Sequence, residues 1–270
     1  LDIFMVTALN MGIAGLAWAT FIAQTIAAVF AFLVLMKRIK AFKTEGKVEV
    51  FSTTLLKMLM TMAIPSILQQ SFVSVGNLFI QALVNSYGAD VIAGYSAAIK
   101  LNTFVTVCIT TLGSGVSNFT AQNYGAGKMD RVRGGFKAGV SLMAIVAIVI
   151  TAVYMIFAAQ LMGFFVDMTE TQVVDVGVEF MRIVAPFYIV VGVKIISDGT
   201  LRGTGQMFPF MVSTFTDLLL RVALSYILVN FFDEVGIWLS WPVGWLLGAL
   251  VSIIFYRVYV YSKKTGMDIS

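Results

Sequence analysis

Lys194, Asp198 and Arg202 follow one another at steps of four, and Asp217 and Arg221 repeat the spacing after a short break. On a helix, such steps put side chains on one face, one turn apart, where opposite charges can pair. Their neighbours are almost all apolar, so the groups sit inside hydrophobic segments. A charge deep in a bilayer costs at least about 2.5–3.5 kcal/mol, so it faces protein or water and marks an ion, proton or substrate path. Asp217 lies about ten residues, hence ~15 Å, from one end of its segment. Local neutralisation by Arg221 is an equally open reading, and even then the pair needs a polar interior.

A second constellation is a stripe of amides and hydroxyls: Ser66, Gln70, Ser74, Asn77, Gln81 and Asn85. All fall on one helical face, opposite an apolar one. The stripe lines a watery cavity or bonds neighbouring helices. Lys100 follows in the next segment, roughly 13 Å from its outer end, with Asn102 nearby. It serves a cavity or an ion pair, or snorkels to the surface. Candidate binding residues are therefore Gln70, Asn77, Gln81, Lys100, Asn102, Lys194, Asp198, Asp217 and Arg221.

Other chemistries are excluded. The chain has no histidine and a single cysteine, Cys108, which removes His-based nucleophile pairs, His metal sites and internal disulfides. Gly125-Ala126-Gly127-Lys128 lacks the first Gly of a phosphate loop and continues into Met129 instead of Ser or Thr. No cofactor, metal or enzyme activity is expected. The net charge of +4 sits between apolar runs and does not point to nucleic acid.

The elements that must hold these residues are membrane helices. Hydrophobic residues make up 59% of the 270 positions and charged residues 12%, against about 45–50% and about 25% in soluble domains. Seven full spans are expected near 12–36, 58–85, 91–118, 136–160, 181–201, 207–232 and 236–260, with a stub before them. The fold class is thus all-α integral membrane. Lys37, Arg38, Lys40, Lys43 and Lys47 follow the first span; Lys128, Arg131, Arg133 and Lys137, then Arg202, then Lys263 and Lys264 mark alternate loops. The intervening loops carry Asp90, then Asp167, Glu170, Asp175 and Glu179, then Asp233 and Glu234. The positive-inside rule puts the basic loops and the C-terminus in the cytoplasm. The acidic stretch 161–180 reads as a short external helix at the interface. Because the chain opens inside an apolar segment without Met, it reads as a fragment.

Three segments resemble the MATE (multidrug and toxin extrusion) transporters. Gln122-Asn123-Tyr124-Gly125-Ala126-Gly127-Lys128 is similar to the family's Q-x-Y-G-A-G-K loop, and Leu201-Arg202-Gly203-Thr204-Gly205 to its L-R-G-x-G loop. Leu1-Asp2, leading to Gly12-Ile13-Ala14-Gly15-Leu16-Ala17-Trp18, resembles the end of its fifth and the start of its sixth helix. The resemblance implies two six-helix lobes around a central cavity. Residues 1–36 would be the remnant of the first lobe, 37–57 a cytoplasmic linker, and 58–270 the complete second lobe. It further implies a plasma-membrane antiporter, monomeric and lipid-embedded, exporting small organic, often cationic, compounds against Na⁺ or H⁺. Several members use acids in the seventh and tenth helices. Here 58–85 has no acid and offers Gln70, Asn77 and Gln81, while the tenth-helix equivalent keeps Asp198. A lipid-linked precursor flippase of the same superfamily is the alternative within transport; a membrane-embedded enzyme lacks the clustered catalytic groups it would need.

Overall fold

The computed structural model describes residues 1–41 and 51–262. Lys43, Lys47, Lys263 and Lys264 lie outside the described residues. Two compact units are present, Leu1–Thr54 and Leu55–Ser270. In the first, a π-helical turn, Phe4–Ala8, precedes α1, Gly12–Ala41. The second consists of α2 (Thr53–Val84, entering from the first unit), α3 (Ala89–Gly125), α4 (Met129–Met162), α5 (Thr171–Val184), α6 (Tyr188–Gly203) and α7 (Met207–Tyr256). Both α1 and α2 extend into the stretch 37–57 expected as linker.

Among the described residues, six stretches are long and apolar enough to cross a membrane. The last of them, Met207–Tyr261, has 55 residues; straight, it would reach about 80 Å, far beyond a hydrocarbon core of about 30 Å. It folds back instead. Phe232 and Asp233 leave helical geometry, Asp233 with φ +48°, and Gly236 packs directly on the Leu228–Val229 backbone. Asp is one of the few non-glycine residues that tolerate positive φ. The hairpin arms 207–231 and 234–256 restore the expected seven spans.

Acidic 161–180 differs from expectation. Only 163–170 is a turn region; α5 then runs into the same span as α6, bent at the 3₁₀ turn Ala185–Phe187 that contains Pro186. Val173, Val174, Val178, Phe180 and Met181 are buried in the core, so the apolar face of α5 packs on protein, not on the interface. At the bend the Ala185 carbonyl accepts the Thr151 hydroxyl of α4 at 2.7 Å. Proline breaks in membrane helices persist where neighbours satisfy the disturbed backbone.

The two motif loops share one geometry. Gly127 (φ +70°) and Gly205 (φ +78°) end α3 and α6 in the left-handed region. Lys128 N–H bonds Asn123 C=O and Gly127 N–H bonds Tyr124 C=O; Gln206 to Leu201 and Gly205 to Arg202 repeat the pattern. Both are Schellman caps, which require a residue free to adopt positive φ. These glycines end helices.

The packing of α3 against α6 fixes the site. A methyl group at Gly199 would lie 2.6 Å from the Gly113 carbonyl oxygen, and one at Gly203 2.8 Å from Thr120 Cβ. Small residues let two membrane helices meet backbone to backbone. The buried face of α3 runs through Gly94, Ala98, Asn102, Val105, Ile109, Gly113 and Ser117. Above it an aromatic core gathers: Tyr95 stacks on Trp238 at 5.1 Å, and Phe180 meets Trp238 and Trp241 edge-on.

Candidate functional site

The steps of four on α6 produce one ion pair, not a ladder. Lys194 Nζ donates to Asp198 Oδ2 at 2.8 Å, with both side chains below 10% exposed. Arg202 instead approaches Ser117 Oγ of α3 (3.4 Å) and the Phe210 ring. Asp217, on the first arm of α7, turns away from Arg221 and faces Lys194 at 3.7 Å. One ammonium therefore holds two carboxylates from different helices, Asp198 buried and Asp217 partly buried. Ser213 donates to the other oxygen of Asp198 at 2.9 Å, and Ser252, from the second arm, donates to the same oxygen at 2.5 Å. The two hydroxyls also touch each other. Asp217 Oδ1 has no hydrogen-bond partner.

Glycine makes room for this cluster. A methyl group on Gly248 would sit 2.7 Å from Lys194 Cε and 2.8 Å from Asp217 Cβ; one on Gly244 would meet Asp217 Oδ1 at 2.9 Å. The second arm of α7 thus closes over the charges with bare backbone. Once water is excluded, the two acids and the ammonium depend on one another, because a buried charge is tolerated only when paired.

Beside the cluster is a cavity of about 300 Å³ between α2, α3, α6 and α7. Asn77 and Gln81 contribute from α2, Asn102 and Thr106 from α3, Tyr188 from α6, and Arg221, Trp241 and Trp245 from α7. Asn102 is buried and accepts the Tyr188 hydroxyl at 3.0 Å. Gln81 donates to Asn85 at 2.8 Å along the stripe. Arg221 is 7% exposed and stacks over Trp241 with its guanidinium carbon 4.5 Å from the ring centroid.

Two sequence candidates lie elsewhere. Gln70 is exposed and outside this cavity, whose α2 wall starts at Val73. Lys100 is exposed as well, its ammonium 5.5 Å from the Phe165 ring centroid beyond the end of α4. It stands about 200° around α3 from both Ala98 and Asn102, off the packed face. Conversely, Ser213, Ser252, Trp241, Trp245 and Tyr188 escaped the sequence reading. Ser213 stands four residues before Asp217, which was a usable signal; the others act across helices and left none.

Comparison with known proteins fits this arrangement. The MatE family model matches residues 65–227. The chain is 25% identical over 262 residues to the Bacillus subtilis (strain 168) "Probable multidrug resistance protein YoeA", covering 94% of this chain and 56% of that protein. It is 21% identical over 270 residues to the Staphylococcus aureus (strain NCTC 8325 / PS 47) "Multidrug export protein MepA", covering 100% and 59%. Among solved structures, the outward-facing conformation of a multidrug resistance MATE family transporter of the MOP superfamily superimposes with a TM-score of 0.85 at 19% identity, over 97% of this chain and 59% of that one. The chain thus spans little more than half the length of the relatives it matches. The matched model covers α2 from Pro65 through most of the first arm of α7, and the helices there carry Lys194, Asp198, Asp217 and Arg221; the chain belongs to the MatE family of multi-pass membrane transporters.

Proposed function

We propose that the complete transporter carrying this chain exports small organic compounds by alternating access, in exchange for Na⁺ or H⁺, and that its coupling group in this lobe is the Lys194–Asp198–Asp217 cluster. The observation that carries the reading is one buried lysine shared by two carboxylates from adjacent helices, at 2.8 and 3.7 Å. A proton or cation arriving at either acid weakens its hold on Lys194. The ammonium then moves toward the other acid, and the contact between α6 and α7 changes with it. Such a group is two-state by construction, and a ligand that prefers one state shifts the population. Substrate entering the neighbouring cavity reaches the same arm of α7 through Arg221, one turn beyond Asp217. The alternation of basic and acidic loops in the sequence supports a cytoplasmic C-terminus with the acidic turns outside.

The test is efflux from cells expressing the complete transporter, with the Na⁺ and proton gradients collapsed in turn. Efflux should stop when one gradient is removed. Asp198→Asn and Asp217→Asn should each insert into the membrane, and at least one should uncouple efflux from that gradient. Unchanged coupling in both variants removes the cluster from the mechanism. Absence of gradient-dependent efflux for every compound tried removes the antiport reading and favours a flippase.

A further inference from the structure

The charge of the cavity wall differs from that of the cluster behind it. Lys194, Asp198, Asp217 and Arg221 sum to zero, but they are not distributed evenly. Both carboxylates face Lys194, and neither lines the cavity; among the described residues that do, Arg221 carries the one formal charge. Its guanidinium makes no hydrogen bond or ion pair among the described residues. Nε is buried and unpartnered, and its contact is the Trp241 face. Stacking leaves the edge of a guanidinium free, and that edge is a fork of donors matched to a planar anion. A cation nine-tenths buried without a counter-charge is unfavourable unless something supplies one. Trp245 and Tyr95 add flat apolar surface on the same wall, and Asn77 and Asn102 add amides.

From this juxtaposition we propose that the cavity of this lobe takes planar aromatic compounds bearing a carboxylate or a similar oxyanion, with Arg221 binding the anionic group and Trp241 and Trp245 packing the ring. The inference rests on the exporter reading above and names its substrate class. An organic cation would meet Arg221 as a like charge at short range, with no acid on the wall to offset it. The bidentate match also sets orientation: the oxyanion sits beside Arg221, one helical turn from Asp217, so an anion bound there is felt by the coupling cluster.

The experiment compares three probes of nearly equal shape in the complete transporter: naphthalene-2-carboxylate, the corresponding amide, and naphthalen-2-ylmethylammonium. Binding is measured by equilibrium dialysis in detergent, and movement by uptake into inside-out vesicles under an imposed gradient. The carboxylate should bind about tenfold or more tighter than the amide, the range of a hydrogen bond to a charged group, and the ammonium weakest. Arg221→Gln should remove the preference for the carboxylate while the amide still binds, and Arg221→Lys should restore part of it. Equal binding of carboxylate and amide by the unaltered protein, or tighter binding of the ammonium, overturns the proposal without recourse to any variant. So does a preference that survives Arg221→Gln. Gradient-driven uptake of the ammonium or amide with no preference for the carboxylate would leave the exporter standing and this inference refuted. Selective binding of the carboxylate without gradient-driven movement of any probe would do the reverse.

Discussion

Replacing Lys194 by Met tests whether the buried cluster behaves as one electrostatic unit. Met keeps the length and apolar stem of the side chain and removes the charge. At an effective dielectric of about 20, charges 2.8 and 3.7 Å apart attract by about 6 and about 4.5 kcal/mol. Most of this is offset by the loss of hydration, and removing one partner of a buried pair has a net effect of about 3–5 kcal/mol. Here the loss leaves two carboxylates facing each other beneath Gly244 and Gly248. Asp198→Asn should be milder, since the amide can still bond Ser213 and Ser252. Combining the two changes removes the lysine together with one of the acids that depended on it. The double variant should therefore be at least about 2 kcal/mol more stable than the sum of the single effects. Thermal unfolding of the four proteins in detergent is the assay. Lys194→Met should lower the midpoint by on the order of 10 °C, at about 2–4 °C per kcal/mol for a chain of this size. Additivity within about 0.5 kcal/mol would mean that the three groups act independently, and the coupling argument would fail with it.

Gly248→Ala puts a methyl group against Lys194 Cε and Asp217 Cβ; a destabilisation of about 1–3 kcal/mol is expected, with altered ion dependence of transport as the second readout. Gly199→Val drives a branched side chain into the Gly113 carbonyl and should separate α3 from α6, abolishing the folded peak in size-exclusion chromatography. Lys100→Gln should change stability by no more than about 1 kcal/mol, the scale of an exposed cation–π contact, and leave transport intact; a transport defect would return Lys100 to the site. Asp167 accepts the backbone N–H and hydroxyl of Thr169, at 3.0 and 2.9 Å, which holds its carboxyl below the usual range. A depressed acid stabilises its turn above its unfolded pKa of about 3.9 and loses that contribution as pH falls through the folded value. Protection of the Thr169 amide from hydrogen exchange should therefore hold at neutral pH and fall only in acid below about pH 4, and should be lost in Asp167→Ala at all pH values.

Sequence by itself determined the membrane class, the spans and the residues worth attention. Composition and run length suffice for the first two, because a bilayer demands about 20 apolar residues with internally bonded backbone. Asn77, Gln81, Asn102, Lys194, Asp198, Asp217 and Arg221 stood out because a polar group in an apolar helix is conspicuous without any knowledge of its neighbours. Beyond the Lys194–Asp198 step, what these groups bind was not legible. Steps of four allowed a ladder through Arg202 and a local Asp217–Arg221 pair, and the structure has neither. Lys194 and Asp198 do pair at their step of four, while Asp217 turns to Lys194 across the helices, a choice made by how α6 and the first arm of α7 cross. Gly248 and Ser252 enter only because the Phe232–Asp233 break folds the second arm back. Helical periodicity gives the face of one helix and is silent on which face of another it meets. For the same reason the exposure of Lys100 and Gln70, outside the wall of this cavity, was not legible: depth along a helix can be read from the chain, while the direction of a side chain is set by tertiary packing.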